Sequence, residues 1–313
     1  MTDIVITEFM DACAVDSLRA DFDVHYDPDL HADAAGISIV LGQARALIVR
    51  NRTRVDARLL ATGPELVAVG RLGVGLDNID LDACAARDLP VYPATGANVV
   101  AVAEYVVAVM LMMLRGAYHA TDRVLAGDWP RTALIGREAS GKTLGIVGFG
   151  AIGRAVAARA SALGVHVAAF DPILSPDDPA WSTPGASRFD DLGAMLGTCD
   201  VVTLHVPLAE ATRHLVGAAE IAAMKPGACI VNTARGAVLD EVAMAEALVS
   251  GKLGAAALDV FEDEPLPAHS PLEGIPNLYL TPHIAGLTQE ANARTGALVA
   301  SRIRRALESG PDH

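Results

Sequence analysis

One pattern runs through the whole sequence: short aliphatic, β-forming runs alternate with helical stretches. The runs fall at residues 4–6, 24–26, 46–49, 67–70 and 90–93, and again at 143–147, 166–170, 201–205, 229–232, 256–260 and 279–281. Such alternation closes into parallel sheets covered by helices on both faces, which predicts an α/β fold. A chain of 313 residues holds roughly two such domains. Between the two arrays lies a stretch, residues 99–114, that is apolar almost all round, and burial between domains or subunits would account for it. A last helix is expected over about residues 289–307. Aromatic residues make up only 4%, so both cores must be built from Ala, Val, Leu and Ile.

Charge and cysteines narrow the function classes. With 24 Lys and Arg against 38 Asp and Glu, the formal charge is -14. That argues against nucleic acid or an anionic membrane as partner, while leaving room for a local arginine cluster that grips a small anion. Cys13, Cys84, Cys199 and Cys229 lie outside metal-ligand spacing, so no metal site is expected and a reducing cytoplasm suits them. The first residues carry no signal-peptide pattern. The longest apolar run, residues 105–114, is too short to span a bilayer.

The strand at 143–147 leads into Gly148-Phe149-Gly150-Ala151-Ile152-Gly153, followed by a helical run over 154–163. In a strand–turn–helix of this kind the first glycine permits the tight turn. The second lets backbone approach a pyrophosphate, and the third allows close packing of helix on strand. The helix N-terminus offers free N–H groups to the phosphates. The next strand ends in Asp171, eighteen residues after Gly153, where a carboxylate can accept both ribose hydroxyls of NAD. No Arg or Lys occurs between Pro172 and Ser187 to meet a 2′-phosphate, which favours NAD over NADP.

Three charged residues follow three different strands of this half: Arg235, Glu264 and His283. Ligands of open parallel sheets bind beyond the carboxyl ends of the strands, so guanidinium, carboxylate and imidazole can converge there. They suit hydride transfer at a hydroxyl-bearing carbon. The histidine exchanges the hydroxyl proton. The glutamate orients the imidazole and stabilises its protonated form. The arginine forks onto a substrate carboxylate.

The stretches 148–153, 233–236, 257–265 and 281–286, with 73–80 in the first half, resemble the D-isomer-specific 2-hydroxyacid dehydrogenase family over nearly the whole chain. Within it the likeness is greatest to members that act on 3-phosphoglycerate and (S)-sulfolactate. The resemblance implies two doubly wound parallel-sheet domains. One is a flavodoxin-like substrate domain, residues 1–95 plus 287–313. The other is an inserted Rossmann NAD-binding domain, residues 96–286, through which members usually form dimers. It assigns Arg235, Glu264 and His283 the roles given above, and places the substrate carboxylate near Val74 and Gly75. It adds Ile152, Pro207, Thr233, Asp259, Ala285 and Gly286 to the cofactor contacts. Because the sequence stops thirty residues after His283, no regulatory C-terminal domain is expected.

Arg50, Arg52 and Arg54 alternate just past one strand, and Arg71 follows another. Positions matching Arg50 and Arg71 grip the distal phosphate in the phosphoglycerate-oxidising members. Arg131 resembles a residue that reaches a neighbouring subunit's site in some relatives. The substrate expected is a three-carbon 2-hydroxy acid with a second anion on C3, (S)-sulfolactate or D-3-phosphoglycerate. Reduction of glyoxylate, hydroxypyruvate or another precursor of a D-2-hydroxy acid is the alternative. A reading of another class is a silent NAD-sensing partner of other proteins, such as a co-repressor; turnover of 2-keto acids separates the two.

Overall fold

In the computed structural model, which describes residues 2–118 and 120–309, the strands form two separate parallel sheets. The described residues up to Asn98, with those from Leu287 onward, make one unit; Val99–Gly286 makes the other.

The first unit holds β1 (Ile4–Ile6), β2 (Val24–Tyr26), β3 (Ala46–Val49), β4 (Ala68–Arg71) and β5 (Val91–Pro93), in the order β2-β1-β3-β4-β5. This is the flavodoxin-like order, with its switch point between β1 and β3. β1, β3 and most of β4 are buried on both faces, as parallel strands covered by helices must be. The helix Gln289–Ser309 returns to this unit and lays Val299, Ala300, Ile303 and Leu307 on one face of the sheet. Gly70 makes that seat possible: a Cβ there would lie 2.7 Å from Val299 Cγ1.

The second unit holds β6 (Thr143–Val147), β7 (His166–Phe170), β8 (Ala186–Arg188), β9 (Val201–Leu204), β10 (Ala228–Asn232), β11 (Leu253–Leu258) and β12 (Leu278–Leu280). Their order is β12-β11-β10-β9-β6-β7-β8, the doubly wound order of dinucleotide-binding sheets. The apolar helix Val99–Arg115 needs no second domain to bury it. Val102, Val106 and Met110 join the core of this unit, with Val156, Ala157 and Ala160 of the helix Ala151–Ala162 and Leu144 and Ile146 of β6.

Some expected boundaries move. β8 has no apolar run to announce it, because it is an edge strand with largely exposed side chains. β11 begins three residues before its expected start. Its Gly254 and alanines carry little strand preference, but a Cβ on Gly254 would come within 2.6 Å of the Gly227 carbonyl oxygen. The helix after the glycine turn starts at Ala151 rather than 154, so Gly153 lies in its first turn.

Candidate active site

The switch point of the larger sheet lies at β6, between β7 and β9, and the glycine turn follows it. Gly148 sits at φ 93, and a Cβ there would press on the backbone of His205 at 2.7 Å. Gly153 packs onto the Gly148 carbonyl, closing helix against turn, whereas Gly150 faces open space. Asp171, half-buried at the end of β7, accepts the Phe149 N–H at 2.8 Å through Oδ2 and the Ile173 N–H at 3.0 Å through Oδ1. One carboxylate thus fixes both the glycine turn and its own loop. The next basic residue, Arg188, pairs with Asp190 and stacks on Trp181, which itself stacks on Phe149 at 5.2 Å. Thr233 Oγ1 is buried with no hydrogen-bond partner, a group of the kind a ligand satisfies. These features fit a dinucleotide.

The three charged residues come together through interlocked loops. His283 Nδ1 lies 2.7 Å from Glu264 Oε2, and the other carboxylate oxygen accepts the Phe261 N–H at 3.0 Å. Burial works to raise the Glu264 pKa, but His283, the Phe261 N–H and the nearby charge of Arg235 outweigh it and hold the group below its ordinary value. Glu264 is therefore an acceptor, so Nδ1 carries a proton and Nε2 is the end free to exchange one. Asn232 builds the turn before Arg235. Its amide accepts the Ala234 N–H at 3.0 Å and donates to the Arg235 carbonyl at 2.9 Å. Gly236 lies so close to the Phe261–Glu262 backbone that a Cβ could not be accommodated, which brings the arginine loop against the glutamate loop. His205, just after β9, has Nε2 3.1 Å from Thr203 Oγ1, and burial pushes its imidazole down to about 3.

Asp259, expected to contact the cofactor, organises the loop around His283. It is buried, and its carboxylate accepts Thr281 Oγ1 at 2.6 Å, the Ile284 N–H at 2.8 Å and the Ala285 N–H at 2.7 Å. Tyr105 extends the chain, its hydroxyl 2.6 Å from Thr281 Oγ1. Within this frame His283 adopts φ 57, held by its N–H to the Asp259 carbonyl at 2.8 Å. Sequence reasoning missed Asn232, Gly236 and Tyr105 as supports. The only available signal was their nearness to Arg235 or to the apolar helix.

In the first unit, Val49 is in register with Arg71, which puts Arg50 and Arg71 at the carboxyl ends of neighbouring strands. Arg50 is half-buried, lies over the Phe9 ring and donates through Nη2 to Asn292 Oδ1 at 2.8 Å. Asn292 comes from the last helix and carried no signal in the sequence. Arg52 is exposed and reaches His31 Nε2 at 3.1 Å. The Arg71 guanidinium folds over Gly73, where a side chain would displace it, so arginine and glycine loop are matched. Val74 is exposed at the tip of that loop and Gly75 half-exposed beside it.

Comparison with known proteins gives the same picture. A family model described as D-isomer specific 2-hydroxyacid dehydrogenase, NAD binding domain, matches residues 107–285. An (S)-sulfolactate dehydrogenase of Chromohalobacter salexigens is 53% identical over 307 residues, covering 98% of this chain and 99% of that protein. A D-3-phosphoglycerate dehydrogenase of Methanocaldococcus jannaschii is 42% identical over 84% of this chain, which spans only 50% of that longer protein. Among solved structures, D-lactate dehydrogenase from Aquifex aeolicus, complexed with NAD and lactic acid, superposes with a TM-score of 0.84. It is 26% identical, with 98% of this chain and 96% of that chain covered.

Proposed function

The chain belongs to the D-isomer-specific 2-hydroxyacid dehydrogenase family and is an NAD-dependent oxidoreductase; we propose that it acts on a three-carbon 2-hydroxy acid bearing a second anion on C3, with His283, Glu264 and Arg235 as its catalytic residues. The observation that carries the chemistry is the 2.7 Å His283–Glu264 pair beside Arg235. NAD, when bound, supplies the hydride acceptor at its nicotinamide ring. His283 Nε2 takes the C2 hydroxyl proton during oxidation and returns it during reduction. Glu264 fixes the imidazole and stabilises its charged form, while Arg235 holds the C1 carboxylate and polarises the reacting oxygen. For the cofactor, the reading assigns the ribose to Asp171 and the pyrophosphate to the turn Gly148, Gly150, Ala151, Ile152 and Gly153. Pro207, Thr233, Asp259, Ala285 and Gly286 line the nicotinamide side. Unit Val99–Gly286 is then the cofactor domain, and the other unit the substrate domain.

Arg50 and Arg71 take the C3 anion, and backbone near Val74 and Gly75 takes the carboxylate. In a chain of charge -14, Arg50 hydrogen-bonds to an amide oxygen and a carbonyl rather than to a carboxylate, and so keeps its charge for an incoming ligand. The 53% identity to a named sulfolactate dehydrogenase favours (S)-sulfolactate over D-3-phosphoglycerate. The test is kcat/KM for sulfolactate, phosphoglycerate, glycerate and lactate with wild type and Arg50→Ala. A lost charge-assisted hydrogen bond contributes about 1.5–3 kcal/mol, so KM should rise roughly 10- to 150-fold for the first two and little for the others. Equal losses on all four would remove the assignment.

A cytoplasmic homodimer fits the same proposal. All four cysteines are free, and no helix among the described residues is long and apolar enough to cross a membrane. Tyr118, Leu125, Trp129 and Ile135 stand 69–80% exposed along one segment of the cofactor unit, and the helix Thr121–Leu125 within it buries nothing. A second copy would cover such a surface, and Arg131 lies in the same segment. Sedimentation equilibrium showing a monomer at micromolar concentration would dismiss the dimer.

A further inference from the structure

Glu8 follows β1 and is almost wholly buried, with 3% of its surface exposed. Its two oxygens receive four consecutive backbone N–H groups. Oε1 takes those of Arg50 at 2.8 Å and Thr53 at 3.0 Å; Oε2 takes those of Asn51 at 3.1 Å and Arg52 at 3.0 Å. Burial alone would raise the carboxyl pKa, but the four donors overcome it and leave the group below its ordinary value. The outer side of the same loop is clasped by Asn78, whose Nδ2 donates to the carbonyls of Thr53 at 2.7 Å and Arg50 at 3.3 Å.

A run of convergent backbone N–H groups is the usual way a loop binds an anion. Here the protein has filled that concavity with its own carboxylate. The N–H groups are used up, so an arriving anion meets only the guanidiniums that the loop projects. We propose that Glu8 is a positioning residue for recognition of the substrate's C3 anion: it templates the Arg50–Thr53 loop and so sets where Arg50 stands beside Arg71. Glu8 touches neither substrate nor cofactor in this role. It acts through the direction in which the Arg50 side chain leaves the backbone, which the Arg50 N–H bond to Oε1 fixes at its root. The inference rests on the assignment of Arg50 to the C3 anion.

The experiment is steady-state kinetics on Glu8→Gln with sulfolactate, phosphoglycerate and glycerate, plus inhibition by inorganic sulfate as a direct probe of the anion site. An amide turns one acceptor oxygen into a donor facing N–H groups, so the loop must shift. Expected are a KM at least tenfold higher for the two C3-anionic substrates, weaker inhibition by sulfate, and kcat, KM for glycerate and KM for NAD all within about twofold of wild type. Should Glu8→Gln fail to fold, Asn78→Ala loosens the loop from its outer side and should give the same split at smaller size. KM values that stay put, or that rise equally for glycerate, would overturn the proposal. Arg50→Ala run in parallel separates the two failures. A selective Arg50→Ala beside an unselective Glu8→Gln sinks only the role of Glu8, whereas an unselective Arg50→Ala sinks the assignment beneath it.

Discussion

The two units put their carboxylates to different uses. In the cofactor unit, Asp259 and Glu264 spend their oxygens on the loops that carry His283 and on His283 itself, so the charged groups of the site are wired to one another. In the other unit, Glu8 spends its oxygens on backbone, and the guanidinium of Arg50 is supported by uncharged acceptors. The first arrangement holds His283 and Glu264 already paired, as the proposed proton transfer needs. The second leaves the Arg50 guanidinium on uncharged acceptors, with the charge of Glu8 near enough to act on it. Arg45 and Arg304, by contrast, are paired with Asp3 and Asp21, although Arg87 and Arg294 share with Arg50 a support of uncharged acceptors.

The contrast can be broken at its strongest point by His283→Ala. Turnover should fall 10²–10⁴-fold, while fluorescence titration should find NADH affinity nearly unchanged. Near-normal turnover across pH would mean that another group carries the proton. Gly70→Val attacks the opposite unit. Overpacking against Val299 should cost about 1–3 kcal/mol in a calorimetric melt while NADH binding survives; an unchanged melting temperature would show that the last helix yields freely. Asp171→Ala sharpens the comparison within the cofactor unit. If the carboxylate accepts the ribose hydroxyls and repels a 2′-phosphate, as proposed, KM for NAD should rise about tenfold with NADP less affected. An unaltered NAD:NADP preference would refute that role.

The smallest effect is on stability against pH. Glu264 and Glu8 both have folded-state pKa values below their unfolded ones. Their contribution is complete above the unfolded carboxyl pKa and is lost as pH falls through the folded one. Melting temperature should thus decline on acidification below about pH 4.5, less so in Glu264→Gln. Partial exposure of Glu264 limits its share. A variant with the wild-type acid profile would place the loss elsewhere.

Much of this was legible in the sequence because its signals are local. Gly148, Gly150 and Gly153 sit on a strand–turn–helix whose periodicities announce themselves, and Arg235, Glu264 and His283 each follow an aliphatic run. What was not legible depends on partners distant in the chain. Asn292 meets Arg50 at a separation of 242 residues, and Glu8 meets a loop more than forty residues away. An acidic residue after a first strand reads as an exposed charge, and only the fold shows that four N–H groups converge on it. β8 escaped because an edge strand need not be apolar, and the start of β11 because its small residues answer to a neighbouring turn rather than to strand preference.

The return of the last helix to the first unit has a consequence for synthesis on the ribosome. Five strands emerge early, yet the helix that places Val299 and Ile303 over Gly70 follows only after the whole second unit has been translated. At roughly 5–20 residues per second, that apolar face waits on the order of ten seconds or more for its cover. During that interval the nascent chain presents a sticky sheet of the kind chaperones recognise. A circular permutant that begins with the last helix, joined ahead of β1, would shorten the wait and should reach the folded state with less aggregation at the same final stability.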